Sequence, residues 1–245
     1  MKRVLGCLRR ADQDFQMIQP GDQVAVGVSG GKDSLLLLHA LALYRRFSPH
    51  PFTLSAVTVT MGLEPFDLTE VRALCKRLEV PYFVRETRIG EIVFRERSEK
   101  NPCALCARMR RGALASTCAE LGFHKIALGH HRDDALETLL MSTLFEGRLH
   151  TFHPVTLLAK TGVTQIRPLI YLSEKEILHA QRQLCLPVVS SPCPADGKTR
   201  RAEMKGLLDE LCRRYPDARA RLLSALQNEK QYGLWSRTVR EEEAP

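Results

Sequence analysis

The sequence predicts an α/β fold, a parallel doubly wound sheet, on three observations. Short β-branched runs alternate with leucine-rich segments of helical length. The first run, Val24 to Val28, is bounded by Pro20-Gly21 and by the glycines that follow, as a buried strand is. It passes straight into a glycine-rich turn and then a helix, the order in which such sheets begin.

The elements follow in turn. Asp33 to Arg46 has the length and leucine content of a helix packed on that strand. Phe52 to Thr60 reads as a second strand, and Leu68 to Leu78 as a helix stopped at Val80-Pro81. Pro81 to Thr87 is the third strand. Ile89 to Lys100 is polar and basic with no clean period, and is expected to leave the sheet. Cys103 to Leu121 reads as a helix ended by Gly122. Lys125 to Gly129 is a fourth strand, and Asp133 to Phe145 the helix after it. A fifth strand is expected at Ile166 to Ile170, at an edge or strand end because Pro168 cannot donate to a ladder. Ser173 to Leu184 carries a helix start, Ser173 with Glu176 three residues on. Thr199 to Gln227 is basic and helical, broken at Tyr215-Pro216, and Arg240 to Pro245 is expected to be disordered. The expected organisation is an amino-terminal arm (residues 1–20), one α/β domain with an insertion (21–198) and a basic helical carboxyl-terminal segment (199–245).

Bulk properties narrow the function classes. The 245 residues carry 44% hydrophobic and 26% charged side chains, as ordinary soluble globular proteins do. Lys plus Arg outnumber Asp plus Glu by 36 to 28, a net charge of +8, which favours a polyanionic partner. Neither an export signal nor a membrane span is visible: Asp12, Asp14 and Asp22 interrupt the amino-terminal region, and the longest apolar run, Leu35 to Leu38, is short. The expected compartment is the cytoplasm. In a reducing environment the eight cysteines read as thiols, metal ligands or catalytic groups, not as a disulfide framework.

Two segments carry chemistry at the carboxyl edge of the sheet. Ser29-Gly30-Gly31-Lys32-Asp33-Ser34 joins the first strand to its helix. Its glycines let backbone approach phosphate oxygens, and the amides of the new helix point at the anion along a favourable dipole. Ser29 and Ser34 add hydroxyls and Lys32 a cation, though the spacing is not that of a Walker A loop. Leu128-Gly129-His130-His131-Arg132-Asp133-Asp134 follows the fourth strand and opens at the same edge. Asp133 and Asp134 there suit a magnesium ion, while Asp133 also suits a helix cap.

The cysteines form the third constellation. Cys103 and Cys106 make a Cys-x-x-Cys at a helix start, where dipole and the nearby Arg108, Arg110 and Arg111 stabilise thiolates. Cys193, between Pro192 and Pro194, is the candidate third ligand, with Cys185 its competitor. Cys75, Cys118, Cys185 and Cys212 lie in helical runs beside Leu or Ala and read by default as small buried hydrophobes; Cys7 is a spare thiol. Three ligands leave a zinc site one short, whereas a 4Fe-4S cluster with one open iron uses three.

The six-residue loop is that of the PP-loop ATP pyrophosphatases, which implies ATP cleavage between the α- and β-phosphates. With it, Pro102-Cys103-Ala104-Leu105-Cys106-Ala107-Arg108-Met109-Arg110-Arg111-Gly112 and Ile126 to Asp134 resemble matching segments of the TtcA family of tRNA cytidine sulfurtransferases, over most of residues 20 to 205. The resemblance implies a Rossmann-like PP-loop domain and ATP held by Ser29, Gly30, Gly31, Lys32, Asp33, Ser34, Gly129 and His130. It implies magnesium on Asp133 and Asp134, a 4Fe-4S cluster on Cys103, Cys106 and Cys193, and Lys32, Asp33 and Arg110 near the chemistry. The implied reaction adenylates the C2 oxygen of an anticodon-loop cytidine in tRNA and replaces it with sulfur from a cysteine desulfurase or other sulfide donor; a homodimer is also implied. Many members have a second cysteine near the third ligand, where this chain has serines and prolines. Basic side chains of Lys198 to Arg221, and Arg85, Arg88, Arg95, Arg97 and Lys100, are candidate tRNA phosphate contacts. Rival readings are an adenylating enzyme with an amine nucleophile, which needs no cysteine trio, a non-enzymatic iron–sulfur sensor that binds nucleic acid, and a structural zinc module.

Overall fold

The computed structural model describes residues 1–62, 67–96, 102–189 and 199–228. Cys193, Arg97, Lys100, Lys198 and the tail from Arg240 lie outside these. Among the described residues no helix is long and apolar enough to cross a membrane.

Among the described residues six strands form one sheet: β1 (Gln23–Gly27), β2 (Thr53–Val59), β3 (Tyr82–Arg85), β4 (Lys125–Ala127), β5 (Val155–Leu158) and β6 (Val163–Ile166), in the order β3-β2-β1-β4-β6-β5. All neighbours pair in parallel except β5, which runs antiparallel to β6. The chain leaves β1 outward through β2 and β3, then returns to lay β4 on the other side of β1. That reversal opens a crevice beyond the carboxyl ends of β1 and β4, where doubly wound sheets bind ligands.

The layers follow from which strand residues face which way. Val24 and Val26 join Leu54, Ala56, Ala127 and Ile166 in a core shared with helices α1 (Lys2–Phe15), α2 (Lys32–Tyr44), α3 (Thr69–Arg77) and α7 (Glu174–Gln183). Ala25, Val57, Ile126 and Val163 face the opposite layer, where Ala115 and Cys118 of α5 (Pro102–Glu120) pack on them. Helix α2 is apolar all round because it is enclosed all round: Leu35, Leu36, Leu37, Leu38 and Leu41 are fully buried. Helix α6 (Arg132–Glu146) follows β4, and α8 (Arg200–Arg214) and α9 (Ala218–Gln227) pack beside it.

Four details differ from the sequence reading. Residues read as an arm form α1, whose Val4, Cys7, Leu8, Ala11 and Asp12 are buried at helical spacing. Asp12 closes that helix onto the body, accepting from Ile18 N at 2.8 Å and Tyr44 Oη at 2.7 Å; burial and this carboxylate push the tyrosine up to about 12. The expected fifth strand at Ile166–Ile170 lies earlier. β6 ends at Ile166, and the chain then turns, with Ile170 N donating to Arg167 O and Leu172 N to Leu169 O. Pro168 is the reason, since it offers no N–H to extend the ladder. β5, paired to β6 through a turn at Gly162 (φ +69°), went unseen. Finally, Ile89 begins the short helix α4 (Ile89–Glu91), which continues as a π-helical turn at Ile92–Glu96, so a 3.6-residue period has no room to show.

Candidate active site

The site is built at the crevice between β1 and β4. Ser34, 5% exposed, shapes the first loop: its Oγ accepts from Ser29 N at 3.1 Å and donates to Gly31 O at 2.9 Å. Gly30 takes φ +80°, a conformation glycine adopts without strain. No side chain caps α2, and uncapped amides at a helix start are the groups that bind anions. From the far side, Val189 N donates to Gly30 O at 3.0 Å. The segment that goes on to Cys193 thus departs from the phosphate loop itself.

The loop after β4 meets this turn backbone to backbone. A Cβ on Gly129 would stand 2.9 Å from the Asp33 carbonyl carbon and 3.0 Å from Ser34 N, so only glycine fits. His131, 4% exposed, begins α6, and its N–H donates to the Asp134 carboxylate at 3.0 Å. His131 Nε2 stands 3.4 Å from Asp134 and 3.8 Å from Asp33, tying the two loops together. One Asp33 oxygen, Oδ1, is buried without a hydrogen-bond partner.

A cavity of about 490 Å³ runs from this junction to α5, lined by Ser29, Asp33, Ser34, Gly129, His130 and Asp134 on one side and Ala107, Arg110, Arg111 and Leu114 on the other. Val57 and Val59 form an apolar flank. Two further wall residues escaped the sequence reading. Phe152 holds the His130 ring at 5.0 Å and the Arg167 guanidinium at 4.9 Å. Burial brings His130 down to about 4, so the imidazole is neutral at pH 7. Burial, with Arg111 nearby, brings Arg167 down to about 10.

The two aspartates after β4 separate. Asp134 lines the cavity; Asp133 faces the other way, accepting from Glu174 N at 2.7 Å and Arg219 Nε at 2.9 Å. Lys32 Nζ lies between Asp33 Oδ2 (3.1 Å) and Glu174 Oε1 (3.3 Å); burial opposes its charge, but these carboxylates outweigh burial and raise it. Glu174 escaped the sequence reading, although its place beside the Ser173 cap puts it at the same edge. Arg201, Lys205 and Arg219, among the candidate RNA contacts, pair with Asp134 (2.9 Å), Glu174 (2.6 Å) and Asp133 (2.9 Å).

Cys103 and Cys106 share the first turn of α5, on one side of the helix. Cys106 is buried in a small cluster with Ile89, Val93 and Leu105, while Cys103 is partly exposed. Arg110, one turn on, reaches the cavity wall. Cys185 is exposed, at φ +47°, in the turn after α7. Among the described residues no three His, Cys, Asp or Glu side chains gather as a metal site, and Cys193, the candidate third ligand, lies outside those residues.

Residues 7–208 match the PP-loop domain family model. The tRNA-cytidine(32) 2-sulfurtransferase of Pelobacter propionicus is 41% identical over 93% of this chain and 86% of its own. That of Geobacter metallireducens is 39% identical over 93% and 90%. The chain belongs to the TtcA family. The U34-tRNA thiolase NcsA from Methanococcus maripaludis, solved with its 4Fe-4S cluster, shares the fold at a TM-score of 0.77 and 22% identity, over 98% of this chain and 83% of that one. The Ser29–Ser34 turn, the crevice and α5 with Cys103 and Cys106 all lie within the matched PP-loop domain.

Proposed function

We propose that this chain is an ATP-dependent tRNA sulfurtransferase that thiolates the C2 position of a cytidine, position 32 by the names of its relatives. The observation that carries the reading is the meeting of the Ser29–Ser34 turn with Gly129 at one end of a cavity whose other wall is the helix of Cys103 and Cys106. A nucleotide phosphate and a sulfur source are thereby served from opposite sides of one space.

The residues present fit ATP. The uncapped start of α2 and the backbone approach at Gly129 leave room for phosphate oxygens and none for a side chain. The unpartnered Asp33 oxygen and Asp134, each beside His131, suit magnesium, which takes one or two carboxylates with phosphate oxygens and waters. Asp133, turned toward α7 and α9, would support that site by fixing the start of α6. The thiols at i and i+3 on the first turn of α5 fit a cluster whose third ligand is Cys193. When bound, the cluster supplies the sulfur nucleophile.

The chain's own groups do the rest. A carbonyl oxygen on cytosine is a poor leaving group until ATP adenylates it and pyrophosphate departs. Lys32 would leave Glu174 for the β- and γ-phosphates and neutralise the charge that develops there. Arg110 and Arg111 would hold the α-phosphate from the α5 side, and His130, kept neutral by burial, would donate a hydrogen bond without adding charge. A cysteine desulfurase or other sulfide donor would replenish sulfur, a homodimer would be the assembly, and the division into arm, PP-loop domain and basic carboxyl-terminal segment would stand with α1 as the arm.

The deciding measurement is iron and acid-labile sulfide on anaerobically purified protein, beside thiolated-nucleoside analysis of tRNA. The expected result is about four irons per chain, lost in Cys103→Ala together with thiolation but not with ATP binding. Zinc in place of iron, or full thiolation by Cys103→Ala, would sink the cluster-dependent reading.

A further inference from the structure

Behind the nucleotide site, across the start of α6, lies a second cavity of about 530 Å³ whose wall includes Lys2, Arg3, Arg10 and Arg132, with Tyr171 and Gln227. No carboxylate is among the described residues that line it. Two of its cations are already held: Arg3 by Glu176 at 2.8 Å, and Arg10 by Asp14 at 3.4 Å while it covers the Tyr171 ring at 4.6 Å. Lys2 and Arg132 are not, since among the described residues no carboxylate pairs with either. Arg132 Nε is, moreover, buried without a hydrogen-bond partner. A buried guanidinium N–H with nothing to donate to is costly, and an anion that accepts from it relieves that cost.

The cavity belongs to the working edge of the sheet. Arg132 stands in sequence between His131, which touches Asp33 and Asp134, and Asp133. The start of α1 lies at this edge too. Its end reaches Tyr44 at the far end of α2, and its Arg3 reaches the helix whose Glu174 holds Lys32. Arg201, Lys205 and Arg219 of α8 and α9 are engaged by carboxylates of this chain, a charge balance that, among the described residues, Lys2 and Arg132 do not share.

We propose that this second cavity binds a backbone phosphate of the RNA substrate, with Lys2 and Arg132 as its principal contacts and the nucleotide site on the other side of the α6 start. The proposal rests on the tRNA reading above. Arg132 would take two phosphate oxygens through its planar fork and Lys2 would add a point charge, which positions RNA without reading its sequence.

The test uses the full chain and labelled tRNA, with binding followed by fluorescence anisotropy across a KCl series for wild type, Lys2→Gln and Arg132→Gln. Each variant should lower the slope of log affinity against log salt by about 1, with ATP affinity by calorimetry unchanged. Lys2 is exposed, so its variant reads out even if Arg132→Gln folds poorly. An unchanged slope in Lys2→Gln would overturn the site. Inorganic phosphate that raises the thermal midpoint of wild type but not of the variants, with tRNA slopes unchanged, would assign the cavity to a free anion and overturn it equally. If wild type itself fails to bind tRNA, the failure belongs to the tRNA reading.

Discussion

At the scale of single residues, the site depends on a close backbone approach at Gly129. The carbonyl of Asp33 and the amide of Ser34 occupy the place a methyl group would take. Gly129→Ala must therefore push the β1 and β4 loops apart, at a cost of about 1–3 kcal/mol for overpacking against backbone that cannot rotate away. The expected outcome is an ATP affinity lowered at least about tenfold, since that separation spans the phosphate site, with the iron content kept because α5 is untouched. Calorimetry with ATP, beside an iron assay on the same preparation, checks both halves. Glycine at this position was legible in the sequence as part of a motif; the clash that demands it was not, because it arises between residues nearly a hundred apart. Asp133 and Asp134 show the opposite limit. Adjacent carboxylates at a helix start read alike in sequence, yet helical rotation sends one to the cavity and the other to α7 and α9.

At the scale of elements, local signals spoke clearly wherever they were self-contained. The Ser173 cap is one: Ser173 Oγ accepts from Glu176 N, and the Glu176 carboxylate accepts from Ser173 N at 2.8 Å. Burial raises this carboxyl, but the Ser173 amide and Arg3 outweigh burial and hold it below its ordinary value of about 4.5. A depressed carboxyl stabilises the fold above its unfolded pKa and loses that contribution as pH falls through the folded one. Glu176→Gln should thus cost about 1 kcal/mol near pH 7, and the difference from wild type should vanish as the pH is lowered below the carboxylate range. Urea unfolding at several pH values measures it; a constant difference would contradict the charge-based account. Elements without such signals were misread. Helix α1 is short on apolar residues: Val4, Cys7, Leu8 and Ala11 stand at i, i+3, i+4 and i+7, and the next position of that face, Asp12, is a buried carboxylate that breaks the apolar run. β5 and β6 are four residues each, too short for alternation to speak, and are held by each other and by β4.

At the scale of the whole molecule, α8 and α9 are joined to the working edge by charge. Arg219 spans Asp133 and Asp209, and Arg201 spans Asp134 and Glu137. Burial first, then the neighbouring Asp134, pushes Glu137 up to about 7, which weakens its pairing with Arg201. The two arginines are not equivalent. The Arg201 side chain is 43% exposed, and water screens what it contributes, to about 1 kcal/mol or less. Arg219 and Asp133 are 23% and 8% exposed, and removing the guanidinium leaves a buried carboxylate with the Glu174 amide but no cation. Arg219→Ala should therefore cost about 2–3 kcal/mol, the penalty of a charge-assisted bond lost inside the protein. Arg219→Ala should also free the α8–α9 pair from the domain, seen as faster amide exchange across both helices while the central strands β1 and β4 keep their protection. Arg201→Ala should leave exchange nearly as it is in wild type. Equal effects of the two substitutions would mean that apolar packing, not the buried ion pair, holds the carboxyl-terminal helices in place.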